Sequence, residues 1–149
     1  MKQFEFRLQK VMETTRTREE LQKRELAVAL AELDRNERLL EEMIDCLTEE
    51  LEQFSGRRNS GSIKVSALVQ CATYTDKVLD DIHRQRDDIE KVVKLVERNR
   101  EKLLEITKDK KILEKLKEKR YKEYRRKLRQ VEQKFMDELS ARNFHNGDE

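Results

Sequence analysis

Apolar residues recur along most of this chain at intervals of three and four. From Leu26 onward Leu33, Leu40, Leu47 and Phe54 stand seven apart, and Leu30, Ile44 and Leu51 fall four after members of that row. Such a row predicts a first helix over about 4–54 with a coiled-coil seam. Upstream, Phe4, Leu8 and Val11 follow a shifted phase, and the polar residues Arg16, Glu19 and Lys23 predict a locally offset stretch. A second seam reads Leu68, Cys71, Thr75, Val78, Ile82, Gln85, Ile89, Val92, Val96, Asn99, Leu103, Ile106, which predicts a helix over about 66–143.

Between the two lies Ser-Gly-Arg-Arg-Asn-Ser-Gly-Ser, from Ser55 to Ser62, which marks a loop at about 55–65, with Ser66 as the N-cap of the second helix. A short loop makes the helices antiparallel neighbours. Pairing them about the loop centre sets Leu26 against Ile89, Leu33 against Ile82, Ile44 against Cys71 and Leu47 against Leu68, with Gln85 and Glu37 interrupting the seam. Cys46 then points outward and Cys71 inward, so two free thiols are expected rather than a disulfide. The fold class is all-α: an elongated two-helix antiparallel coiled-coil hairpin forming a single unit, with a tail at about 144–149.

Composition supports long helices. The 149 residues include no proline and three glycines, where average usage would give about seven prolines. Charged residues make up 44% and aromatics 5%, enough for a seam and too little for a layered core. At about 1.5 Å per residue the first helix spans about 75 Å and the second about 115 Å, so the second overhangs from about Lys115 to Asn143. In the overhang Tyr121, Leu128 and Phe135 stand seven apart beside Tyr124 and Val131, an apolar stripe with nothing in the chain to cover it.

The net charge of +2 hides a polarised distribution. Lys108–Arg129 holds twelve basic and four acidic residues, whereas Glu37–Glu52 holds seven acidic and one basic. Most of these charges read as solvated surface braced by pairs such as Glu118 with Lys122 and Glu123 with Lys127. A basic helix beside a coiled coil is also the plan of leucine-zipper factors, but Glu114, Glu118 and Glu123 interrupt the run and no nucleic-acid partner is expected. His83 and His145 lie far apart, and neither a metal-ligand spacing nor a phosphate loop occurs, so the reading is of a non-enzymatic protein without metal or cofactor. Neither a signal peptide nor an apolar run long enough to span a bilayer is visible.

Both ends of the chain resemble the FliJ family, the coiled-coil proteins of the bacterial flagellar type III export apparatus. The resemblance rests on Phe4-Glu5-Phe6-Arg7-Leu8-Gln9-Lys10-Val11, on Glu114-Lys115-Leu116-Lys117-Glu118-Lys119-Arg120, and on Gln133-Lys134-Phe135-Met136-Asp137-Glu138-Leu139. It implies a bacterial cytoplasmic protein, peripheral at the inner membrane, that acts as a central stalk and chaperone escort. The implied partners are the hexameric export ATPase FliI, the cytoplasmic domain of the export-gate protein FlhA, and export chaperones. Lys115, Arg120, Tyr121, Tyr124, Leu128, Gln133, Lys134, Asp137 and Glu138 would then dock on the ATPase. Tyr74 and Val78 would dock on the gate, with Cys71 and Asp81 departing from the family's strip. The alternative is a coiled-coil scaffold or adaptor unconnected with export.

Overall fold

A computed structural model describes residues 3–61 and 63–145, and among them the chain forms two helices, α1 (Gln9–Asn59) and α2 (Val65–His145), and no strand. They contact one another extensively as an all-α hairpin. The contacts gather into two compact units, one of Leu21–Leu103 around the turn and one of Met1–Glu20 with Leu104–Glu149.

The turn is shorter than the sequence suggests and lies further along the chain. α1 runs through Gly56 to Asn59, and among the described residues Gly61 is the glycine with a left-handed backbone, at φ 81°. The end of α1 is closed by Gly61 N–H donating to the Arg58 carbonyl at 3.2 Å and by the Ser60 hydroxyl donating to the Arg57 carbonyl at 2.7 Å. Arg57 and Arg58 sit in the last turn, where their charge complements the helix dipole. α2 opens with Ala67 and Leu68 N–H donating to the Lys64 carbonyl, so Lys64 holds the cap position and Ser66 lies inside the first turn. The tail expected at 144–149 is helical backbone as far as His145, and 146–149 fall outside the described residues.

Moving the turn moves the register. In the Leu21–Leu103 unit, Gln85 Nε2 donates to the Asn36 carbonyl at 3.1 Å and to Asn36 Oδ1 at 2.9 Å, so Gln85 meets Asn36 and not Leu30. The same chemistry recurs with the helices exchanged: Gln22 Nε2 donates to the Asn99 carbonyl at 3.3 Å and to Asn99 Oδ1 at 3.1 Å, so Asn99 meets Gln22 and not Arg16. The pairings drawn from the loop centre, Leu26 with Ile89 and Ile44 with Cys71 among them, are therefore displaced by almost a heptad.

The second row of the α1 seam also differs. Ala29 is buried and Asn36 and Met43 are half-buried, each three residues after a leucine of the main row, whereas Leu30, Ile44 and Leu51 lie four after it and are exposed. Glu37 is exposed, and Asn36 occupies the seam beside it. On α2 the expected seam holds from Cys71 onward, with Ile82, Gln85, Val96 and Asn99 all buried, but its first expected member, Leu68, is exposed because the shifted register leaves it beyond the paired layers.

In the other unit the seam phase is continuous rather than offset, with Met12, Thr15 and Glu19 buried on α1. Glu19, 6% exposed, takes an apolar position and is balanced by Lys110 Nζ at 2.8 Å from its Oε2. Lys117 Nζ donates to Gln9 Oε1 at 2.9 Å, and Arg16 lies 3.8 Å from Glu114. Ahead of α1 the chain leaves the helix, with Phe6 buried and its carbonyl accepting Gln9 N–H at 2.9 Å.

Two changes test this arrangement by chemical denaturation. A Cβ at Gly56 or at Gly61 would meet nothing within 4 Å, so only backbone conformation separates the two sites. Gly56→Ala should stabilise by about 0.5–1 kcal/mol and Gly61→Ala should destabilise by about 1–2 kcal/mol. Equal signs would place the turn elsewhere. Gln22→Leu should cost about 1–3 kcal/mol by stranding the buried Asn99 amide, and adding Asn99→Leu should recover most of that loss.

Candidate docking surfaces

α2 changes character along the unit that contains Leu104–Glu149. Up to Tyr124 its inner face is covered by the chain's own beginning. The Phe4 ring lies 5.3 Å from that of Tyr121 at an interplanar angle of 72°, and 5.6 Å from that of Tyr124 at 48°. These separations are those of favourable edge-on and tilted ring pairs. The residues expected to lie uncovered from Lys115 onward are therefore partnered as far as Tyr124. Phe4 achieves this from a non-helical segment, which extends further along α2 per residue than helix would.

Beyond Tyr124 the cover ends. Leu128 is half-buried, and each residue from 129 to 142 is exposed. Val131, Phe135, Met136 and Leu139 are 52%, 60%, 61% and 39% exposed. Steps of three and four from Leu128 through Val131 and Phe135 to Leu139 put these four side chains on one helical face, with Met136 at its margin. Lys134 and Glu138, four apart, run along one flank, and Gln133 and Asp137, also four apart, along the opposite side. Val131, Phe135 and Met136 are the most exposed apolar groups here. From this stretch the docking residues implied by the resemblance include only Leu128 and the polar Gln133, Lys134, Asp137 and Glu138, although the sequence places Val131 and Phe135 on the stripe. The signal was their spacing, which continues the stripe already visible at Leu128.

Lys115 and Arg120 are exposed, and Arg120 Nη1 lies 3.1 Å from Glu123 Oε2. Arg120 also borders a shallow groove formed with Phe4, Phe6, Leu8, Leu116 and Tyr124. Of the residues proposed for ATPase docking, Lys115, Arg120, Tyr121 and Tyr124 thus lie in or beside the covered stretch, whereas Leu128 lies on the bare stripe, Lys134 and Glu138 flank it, and Gln133 and Asp137 lie on the opposite side of the same helix.

The Leu21–Leu103 unit carries Tyr74 and Val78. Tyr74 is 39% exposed and Val78 is half-buried in the seam. Tyr74 borders a surface depression with Leu39, Met43, Cys46, Val78 and Asp81. Partial desolvation, followed by the charge of Glu50 and a hydrogen bond to it, raises the Tyr74 phenol above its ordinary range. The phenol thus feels the Glu50 carboxylate across the hairpin while the ring stays partly exposed. Cys71 is half-buried and Cys46 exposed, both as free thiols. No cluster of metal-ligating side chains occurs among the described residues, and no helix is long and apolar enough to cross a membrane.

These features define a class: a helical hairpin that combines a bare amphipathic helix end with an aromatic patch on its paired region. The chain matches the family described as flagellar FliJ protein over residues 4–149, and it belongs to that family. It is accordingly a flagellar export-related protein, of a family that contributes no enzyme activity to export. No curated protein and no solved structure matches it.

Phe4→Ala should uncover Tyr121 and Tyr124. Amide hydrogen exchange over residues 116–124 should then accelerate while that over 82–99 is unchanged. Unchanged exchange in both stretches would mean that the opening segment contributes no cover.

Proposed function

We propose that the chain is a docking component of the flagellar export apparatus that seats the bare end of α2 in the central opening of the hexameric export ATPase FliI. The carrying observation is the apolar face Leu128–Val131–Phe135–Leu139, left exposed on a helix whose preceding length is paired. An amphipathic helix with anchors at these spacings inserts into an apolar groove or ring, and the opposite charges of Lys134 and Glu138 beside it supply orientation rather than bulk attraction. ATP hydrolysis belongs to the ring, and this chain contributes contact surface to it. Family membership supports the choice of receptor.

The second contact in this reading is Tyr74 with Val78, offered to the cytoplasmic domain of the gate protein FlhA and, in turn with it, to export chaperones. Tyr74 projects from the seam and Val78 lies within it, so Tyr74 supplies most of the accessible surface. Asp81 borders the same depression and favours a receptor with a complementary donor. A protein bound at both places links the ATPase to the gate.

Affinity measurements with purified partners test both contacts. Val131→Asp with Phe135→Asp should weaken binding to the ATPase at least about tenfold, because two anchors of a central apolar contact are lost, and should leave gate binding intact. Tyr74→Ala should do the reverse. Unchanged ATPase affinity in the double variant would exclude the bare stripe as the seat, and equal losses of both partners in both variants would indicate unfolding rather than docking.

A further inference from the structure

A second pair of surfaces lies on the outer faces of the helices, away from both the seam and the bare stripe. Along α2, Lys108, Lys115, Lys122 and Arg129 recur every seven residues, and Lys119 and Arg126 lie beside that row. All six are exposed. At about 100° per residue they occupy roughly a quarter of the circumference over about 32 Å, turned well away from Phe135 and Leu139. Glu118 shares the sector and is bound by Lys122 four residues on.

The outer face of α1 is its counterpart in sign. Asp34, Glu41, Asp45, Glu49 and Glu52 are exposed and fall in a similarly narrow sector over about 27 Å. The basic residue among them, Arg38, is held by Asp34 at 2.9 Å. Each face therefore has one countercharge, already bound within the face, and the remaining groups have one sign. Both follow a coiled-coil repeat of seven, so charges spaced along one match charges spaced along the other.

From this complementarity we infer that the free protein self-associates, the basic outer face of α2 in one copy lying along the acidic outer face of α1 in another. Individual exposed ion pairs contribute little, so the contact is weak and depends on the summed charge of the rows. It is correspondingly sensitive to salt. The Debye length falls from about 30 Å at about 0.01 M salt to about 3 Å at about 1 M, so association belongs to the low-salt range. It leaves the bare stripe free for the ATPase and Tyr74 free for the gate.

Sedimentation equilibrium of the full chain, with circular dichroism to verify helicity, tests this. The wild type should gain mass with concentration at low salt and return to single chains at high salt. Lys115→Glu with Lys119→Glu and Arg126→Glu should remain single, as should Asp45→Lys with Glu49→Lys and Glu52→Lys. A mixture of the two variants should associate, because each then supplies the face that the other lacks. A wild type that stays single at low salt overturns the proposal, and so does a mixture that stays single. Association that survives high salt and disappears in Phe135→Asp would assign self-contact to the bare stripe instead. A chain that stays single but sediments with phosphatidylserine vesicles would assign the basic face to an anionic bilayer.

Discussion

The pairing of buried amides between the helices fixes the rest of the structure. A seam of leucine, isoleucine and valine tolerates sliding by a heptad, because one apolar layer resembles the next. Gln22 with Asn99, and Asn36 with Gln85, do not tolerate it. Slipped by seven residues, Gln22 would face Val92 or Ile106 and Gln85 would face Ala29 or Met43, and in each case a buried amide would lose its partner. Unpaired buried polar groups cost more than paired ones contribute, so these pairs select the register more than they strengthen it. Glu19 with Lys110 imposes a comparable condition nearer the ends of the chain.

Register in turn decides where cover runs out. With the pairing centred at Ser60 and Gly61, each residue of α1 meets a later residue of α2 than pairing about Arg57 and Arg58 would allow. The opening segment then reaches Tyr121 and Tyr124 through Phe4, and the bare part of α2 starts near Leu128 rather than at Lys115. The exposed surface is shorter than the length difference of the helices suggests, and more apolar. Its chemistry suits insertion into a receptor, whereas the basic outer face upstream suits contact with an acidic surface.

The α2 seam, the helical hairpin and the family were legible in the sequence because the heptad there is long and its apolar members are large. The second α1 row was not, since Thr15, Gln22, Ala29 and Asn36 are small or polar, leaving Met43 as its one large apolar member, while Leu30, Ile44 and Leu51 beside them draw the pattern outward. A hydrophobicity reading weighs transfer from water, but a position facing a partner amide is filled for hydrogen bonding. The spacing did hold the answer: Gln22 and Asn36 are two heptads apart, as are Gln85 and Asn99, so two matched pairs define one register. The turn was misplaced because Gly56 is a weak helix breaker when a good stop, Gly61 at positive φ, follows one turn later. Phe4 as a cover could not be read from a helical template, since it acts from outside the helix.

Hydrogen–deuterium exchange of the full chain, alone and with the assembled export ATPase, tests most directly whether function resides in the bare end of α2. New protection should fall on residues 128–142, with little change over 82–99, where the paired seam is already closed. Protection confined to the paired regions, with 128–142 exchanging as fast as in the free chain, would contradict it.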